Sequence, residues 1–438
     1  MLARLLLLVA GLAISPVGTP RAWPGELAVV SGARLVVITG HESHAVSGPG
    51  LPSEPKWSPD GTWVAFLRSG TQLWAARSSG ADAHRVSPAG LSVSEFSWAS
   101  VEAREILVFS ASHAPSGASQ APSATGTVLL ASANSTAVRI LGTYPDLIGF
   151  SVAPSGKQLA ISYRAGRPPA GDEAPTWKGV VRIVPLAGGP SRAVYSLPAG
   201  GYALLGPGWW PDGKGLLFWD DPEGSASIAA DGLPLDSLDL ATGKVSTLGT
   251  MLTYPNWISW SLSGKQLAFV AGPNRVVWDS GKHLVLCHMP TDSCRPVPLQ
   301  SKGTMALDPA WAGDGSLVFD IAPGTTSPVA VVPTGLKVTG NAPFDQATVA
   351  RWYAAMRLWV ARLPAATGHP LAHSPLGAHD PLPAPGGIFF LRADSLYWLA
   401  NGASHPSEVV TGISSPGYFG ASSYYGYMAW QDAFAWHA

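Results

Sequence analysis

The stretch WSPDGTWVAF, residues 57–66, returns down the chain, and a recurring hairpin leaves 438 residues few folds to choose from. In Ser58-Pro59-Asp60-Gly61 the proline presets φ for the second turn position, Asp60 suits the third, and Gly61 supplies the positive φ of a bulged hairpin. The TWVAFLR that follows is rich in β-branched and aromatic residues, so it reads as a strand. The turn recurs in VAPSGKQLAI from Val152, WWPDGKGLLF from Trp209, WSLSGKQLAF from Trp260 and WAGDGSLVF from Trp311, the last three starts spaced 51 and 51 residues apart. Gly156, Gly213, Gly264 and Gly315 take the place of Gly61 and are assigned its backbone role rather than contact with a ligand. Looser copies start at Pro383 and Phe419, and a degenerate one lies near Trp98, which makes eight candidates for an innermost strand.

Several copies are followed by a third strand and a short fourth, as in TQLWAARSSGADAHRV from Thr71 and KHLVLCHMPTDSCRPV from Lys282. Four strands per unit, a period near that of a propeller blade and no long helical periodicity give an all-β fold: a β-propeller of four-stranded antiparallel blades. Eight blades are expected from the inner strands, with seven as the alternative because two copies are loose. The core W-SPDG-xx-hAF, followed by LW and a polar hairpin, resembles the TolB-type propeller repeat, also found in the propellers of prolyl-oligopeptidase-like enzymes, over roughly residues 50–320. That resemblance implies the fold and is nearly silent on function, because the repeated residues are turn and core residues. Neither the α/β domain that precedes the propeller in TolB nor the hydrolase domain of the peptidases is seen, so a single propeller domain over 26–438 is expected. ELAVVSG, ARLVVITG and SHAVS at the N-terminus read as a blade lacking its inner strand, which residues from Phe419 onward would supply to lock the ring. The trailing DAFAWHA has no place in that scheme.

Composition bounds the partners. Charged residues make up 13% and the net charge is -1, so there is no basic footprint for nucleic acid, while 46% hydrophobic residues give ample core. MLARLLLLVAGLAIS opens the chain with an apolar run from Leu5 to Ile14, too short to span a bilayer. It reads as a secretory signal over about residues 1–22, which puts the mature chain in the periplasm, outside the cell or on its surface, with no membrane span. Cys287 and Cys294 flank HMPTDS between the third and fourth strands of one blade; in an exported chain such a pair makes a disulfide that braces the hairpin.

Enzyme signatures fare poorly. GPGWWPDGKG nearly spells a phosphate-binding loop, but Gly215 replaces the required Ser or Thr, and no G-x-S-x-G elbow occurs. No catalytic residue and no cofactor are assigned. His369, His373 and His379 stand beside Asp380, but H-x-x-x-H converges on a metal readily only from a helix, which the nearby prolines oppose, so they read as loop histidines. Asp220, Asp221 and Glu223 read as a solvated loop rather than paired acids over the channel. Trp57, Trp98, Trp209, Trp260 and Trp311 hold one repeat position, where an aromatic wedge between blades explains them.

The remaining irregularity is NAPFDQATVARWYAAMRLWV. Asn341 can cap, Pro343 suits an early turn, and Phe344, Val349, Trp352, Tyr353 and Met356 fall at helical spacing, so one short inserted helix packs on a face of the propeller. It would plug the channel or act as a binding lid, with Phe344, Trp352 and Tyr353 as the aromatic anchors. Because a single strand, MRLWVARL, separates this insertion from the segment His369 to Asp380, the two are expected on opposite faces. The leading functional expectation is an exported, non-catalytic scaffold that binds a protein or small ligand at the cell envelope. The alternative is a carbohydrate- or peptide-active enzyme at the channel mouth, which convergent carboxylates or a histidine-bound metal would distinguish.

Overall fold

In the computed structural model, Ser58-Pro59-Asp60-Gly61 is the tip of a hairpin between strands Pro52–Trp57 and Trp63–Arg68. The Ser58 N–H donates to the Trp63 carbonyl at 2.9 Å. Ser58 Oγ, Thr62 N and Thr62 Oγ1 donate to Asp60 Oδ1 at 2.6, 2.9 and 2.8 Å. Partial burial pushes the Asp60 carboxyl up, but these hydrogen bonds outweigh it and bring it to about 2. Gly61, Gly156, Gly213 and Gly264 have φ of 70, 68, 72 and 68°. Gly315 departs from this. Its loop is one residue shorter, closed by Ala312 N to Ser316 O at 2.8 Å, and the left-handed position passes to Gly313 at φ 100°. A Cβ at Gly213 would meet nothing within 4 Å, so Gly213→Val isolates the backbone effect. It should lower stability by about 1–3 kcal/mol, and Gly213→Asn by less, in denaturant titration. An unchanged Val variant would remove the turn's conformational role.

The structure describes residues 23–39, 42–101, 104–113, 125–166, 176–279, 281–298, 303–324, 331–332, 336–337, 346–363, 367–413 and 425–438. They build eight four-stranded antiparallel sheets. Blades 1 to 7 take residues 52–85, 91–144, 147–199, 202–251, 258–296, 304–370 and 378–410 in turn. Blade 8 combines Glu26–Ser31, Arg34–Thr39 and Glu42–Val46 with Phe434–His437, which pairs with Glu26–Ser31 as the innermost strand. The closing strand is therefore the trailing segment itself, not a strand starting at Phe419, a residue outside those described. Its signal was incomplete for a physical reason: Trp436 faces Leu27 in the register, so the strand that would follow its turn lies at the other end of the chain.

The repeat tryptophans stitch neighbouring blades. Trp57, Trp98, Trp209 and Trp311 donate their indole N–H to the carbonyls of Ala435, Lys56, Ser151 and Ser259, each on the inner strand of the preceding blade, at 2.9–3.1 Å. Trp260 holds the same position, but its indole nitrogen is buried without a partner. Between inner and second strands the register slips in blade 1 (between Ser53 and Lys56), blade 6 (Leu307 and Ala310) and blade 7 (His379 and Leu382). At each of these bulges an acid precedes a proline and takes a left-handed conformation: Glu54, Asp308 and Asp380, at φ 52, 49 and 50°. Such bulges re-aim side chains.

Two excursions carry helices. Helix Ala226–Asp231, capped by Ser225 through Ile228 N, lies in the segment after Asp221. Asp221 is buried and accepts the N–H groups of Glu223, Gly224 and Ser225, which explains that acid as a loop organiser. Helix Gln346–Tyr353 buries Val349, Trp352 and Tyr353 of the apolar face read from the sequence, and Met356, three residues past its end, is buried as well. Asn341, Pro343 and Phe344 lie outside the described residues. Cys287 and Cys294 stand opposite each other in register and form a disulfide, with Cα atoms 4.0 Å apart.

Candidate functional site

Where inner strands begin, the ring is crossed by residues 425–433. The Tyr425 carbonyl accepts Val277 N from blade 5 at 3.1 Å. Gly426 passes so close to Val277 and Trp278 that a Cβ would lie 2.5–2.6 Å from their side chains. Tyr427 stacks on Tyr254 with centroids 3.7 Å apart, and its hydroxyl donates to Asn256 Oδ1 at 2.6 Å. Met428 N donates to Tyr353 Oη at 3.3 Å, Trp430 lies 5.6 Å from the ring of His379, and Phe434 then enters blade 8. This segment runs from blade 5 to blade 8, with Tyr353 of the helix packed on it through Met428 and Trp430.

Beneath it three carboxylates converge. Asp308 comes from the inner strand of blade 6 (Thr304–Trp311), Asp320 from its second strand (Ser316–Pro323) and Asp380 from the inner strand of blade 7 (Ala378–Ala384), with one oxygen of each within 4.8 Å of the others. The bulges bring them together by turning Asp308 and Asp380 off the regular pleat. Asn256 Nδ2 donates to Asp308 Oδ1 at 2.5 Å, and Asp380 N donates to Asp320 Oδ2 at 2.9 Å. His379 Nδ1 and Asp380 Oδ2 are hydrogen-bonded at 2.9 Å. Asp320 Oδ1 and His379 Nε2 are buried with no partner. Burial, then repulsion from Asp380, holds the Asp308 carboxyl well above the usual range, and burial with repulsion from Asp308 and Asp380 does the same for Asp320. Burial pushes Asp380 up to about 8 and His379 down to about 3.

On the other side of His379 opens a cavity of about 920 Å³, bounded by Val349, Tyr353, Leu376, Tyr397, Met428 and Trp430 among others. Arg392, Asp394 and Glu408 add charge to its wall.

The helix and the segment 376–379 therefore share one cavity, and the rings of Tyr353 and His379 lie 4.7 Å apart. The expectation of opposite faces fails because a second strand, Gly368–Pro370, follows Arg357–Arg362 and carries the chain back. His369 on that strand and His373 beyond it are exposed, whereas His379 is buried, so the three histidines do not converge. Trp352 is not an exposed anchor: it is 1% exposed, its indole donates to the Pro323 carbonyl at 3.0 Å, and its ring packs on Trp278. Tyr353 is also buried but contributes to the cavity wall. Asp308 and Asp320 belong to no motif in the sequence. Two signals stood there: an acid three residues before the repeat tryptophan, shared by Glu54, Glu95 and Asp308, and an aspartate inside the apolar run LVFDIA.

In sequence, no protein family and no curated protein matches the chain. Among solved structures it is similar to prolyl oligopeptidase B from Galerina marginata, with a TM-score of 0.51 and 11% identity over 82% of this chain and 51% of that one. It is also similar to an oligogalacturonate lyase, with a TM-score of 0.45 and 12% identity over 67% and 83% of the two chains. For TolB from Acinetobacter baumannii the TM-score is 0.37 and the identity 17%, over 68% and 69%. The likeness to the peptidase reaches about half of that chain and concerns the propeller fold.

Proposed function

We propose that this chain is an exported, non-catalytic propeller that binds a ligand or protein partner at the cell envelope through the cavity beside helix Gln346–Tyr353. The observation that carries this reading is the cavity itself: about 920 Å³, with Val349, Leu376, Ile413 and Met428 as apolar wall and a few polar groups near them. Pockets of that size and lining suit a small molecule or an inserted side chain. Two of its polar groups are held in place, Glu408 Oε2 accepting from Tyr397 Oη at 3.0 Å and Arg392 Nε donating to the Leu376 carbonyl at 3.1 Å. Export is supported by the apolar run from Leu5 to Ile14 and by the disulfide, which persists in oxidising compartments. No helix among the described residues is long and apolar enough to cross a membrane.

Deleting the helix is a poor test, since Trp352 and Met356 belong to the core. Ala350 lines the cavity from an exposed position, so Ala350→Trp fills it without disturbing packing. That variant should keep the wild-type melting temperature and lose at least about tenfold in affinity for whatever wild type captures from envelope fractions, a loss of roughly 1.4 kcal/mol. Full retention of binding removes the cavity from the function.

A second reading, a carbohydrate- or peptide-active site at the channel mouth, draws on the convergence of Asp308, Asp320 and Asp380. Their burial beneath residues 425–433 counts against it: a substrate would first have to displace Tyr427 and Trp430.

A further inference from the structure

We propose that Asp308, Asp320 and Asp380 bind one calcium ion on the channel side of blades 6 and 7. The cluster alone would not require it; Asp320 does. Its side chain is fully buried in the second strand of blade 6, between the buried Phe319 and Ile321. It pairs with Leu307, and the residue that pairs at the corresponding place is Leu67 in blade 1 and Leu391 in blade 7. Putting a carboxylate at an apolar core position costs several kcal/mol unless its oxygens are satisfied. One of them, Oδ2, accepts Asp380 N, while Oδ1 is buried, has no partner, and belongs to the side chain that completes the cluster.

Asp308 and Asp320 share a hydrogen bond with each other, and the other contacts of the three carboxylates come from Asn256, Trp257, His379 and a backbone N–H, none of which brings a fixed positive charge. Among the described residues no Lys or Arg is paired with any of them. A cation supplies the missing charge, and all-oxygen ligands select a hard one. Burial narrows the choice: magnesium dehydrates reluctantly and keeps several waters, whereas calcium takes irregular sets of protein oxygens, so carboxylates as buried as Asp308 and Asp320 suit calcium. This inference is independent of the cavity reading, because Ala350 is no part of the cluster and the cavity reading requires no ion.

The test uses the purified full chain stripped with chelator. Equilibrium dialysis and calorimetry with calcium should give one saturable site per chain. Calcium at about a hundredfold excess over Kd should raise the melting temperature by about 3 °C or more. Magnesium should do so more weakly. Terbium, used as a calcium probe, should show emission sensitised by Trp257, which calcium competes away. Asp320→Asn should abolish both the binding and the shift, as should Asp320→Leu, which restores the residue type of the other blades and keeps a folded comparison available. Glu54→Gln, at the equivalent bulge of blade 1, should change neither. No saturable calcium binding by the wild type up to about 10 mM, some tenfold weaker than extracellular calcium modules, would overturn the proposal whatever the variants do. An unaltered calcium shift in folded Asp320→Leu would do the same, and preferential saturation by magnesium would overturn the choice of ion.

Discussion

A chain ending at Ala433 should lose the closed ring, with aggregation in size-exclusion chromatography and a melting temperature lowered by many degrees or no cooperative transition at all. The strand it lacks, Phe434–His437, pairs with Glu26–Ser31 through four residues, from Val29 opposite Phe434 to Glu26 opposite His437. Its Ala435 carbonyl accepts the Trp57 indole, so removal also breaks the seam between blades 8 and 1. Burial of Phe434 and part of Trp436, with the ladder hydrogen bonds, contributes roughly 5 kcal/mol or more. That is comparable to the whole stability of an ordinary domain. The strand left behind carries Leu27, Ala28 and Val29, all fully buried in the intact ring, and would present an apolar unpaired edge, a template for another chain. Addition of a peptide spanning residues 430–438 should restore a monomeric, cooperatively melting species. A truncated chain that melts like wild type would show that the two ends of the chain do not close the ring.

What the sequence made legible follows from where the signals are local. Ser58 to Thr62 fold on themselves through Asp60, so the turn could be read residue by residue and its repetition counted. The helix face was legible for the same reason, since Val349, Trp352 and Tyr353 lie within two turns of one another. The closing strand was not, because its partner is at the far end of the chain. Nor was the shared position of the helix and His379, which depends on the three-residue strand Gly368–Pro370, a stretch containing proline and no alternating pattern. The carboxylate cluster needs two blades and a bulge in each; in sequence, Asp308 and Asp380 look like ordinary turn residues before prolines. Asp320 is the exception, since an isolated charge inside the apolar run LVFDIA is visible in the sequence itself.

Replacing Glu95 by glutamine should stabilise the protein in alkaline solution and leave it nearly unchanged in acid. Glu95 sits on the inner strand Leu91–Val101, where Oε2 accepts Phe150 N from blade 3 at 3.0 Å. Burial raises its carboxyl from 4.5 to about 7, opposed by that hydrogen bond and by Lys56, which lies over the Phe96 ring with its ammonium 4.3 Å from the centroid. In the unfolded chain the group ionises near its ordinary value, while the folded chain holds its proton until about pH 7. The folded state therefore binds more protons between the two values, and stability due to this group is full below about pH 4.5 and lost as pH rises through 7. The shift corresponds to roughly 3 kcal/mol above pH 7. Glutamine keeps an oxygen for Phe150 N and carries no charge, so Glu95→Gln should recover up to about that amount at pH 8 and little at pH 4.5. Other partly buried acids titrate too, Asp432 near 7 among them, so the informative quantity is the difference between wild type and variant at each pH, taken from denaturant midpoints. A variant less stable than wild type at pH 8 would mean that ionised Glu95 is held by Lys56 strongly enough to outweigh its burial, and the sign of the pH dependence assigned to this acid would be wrong.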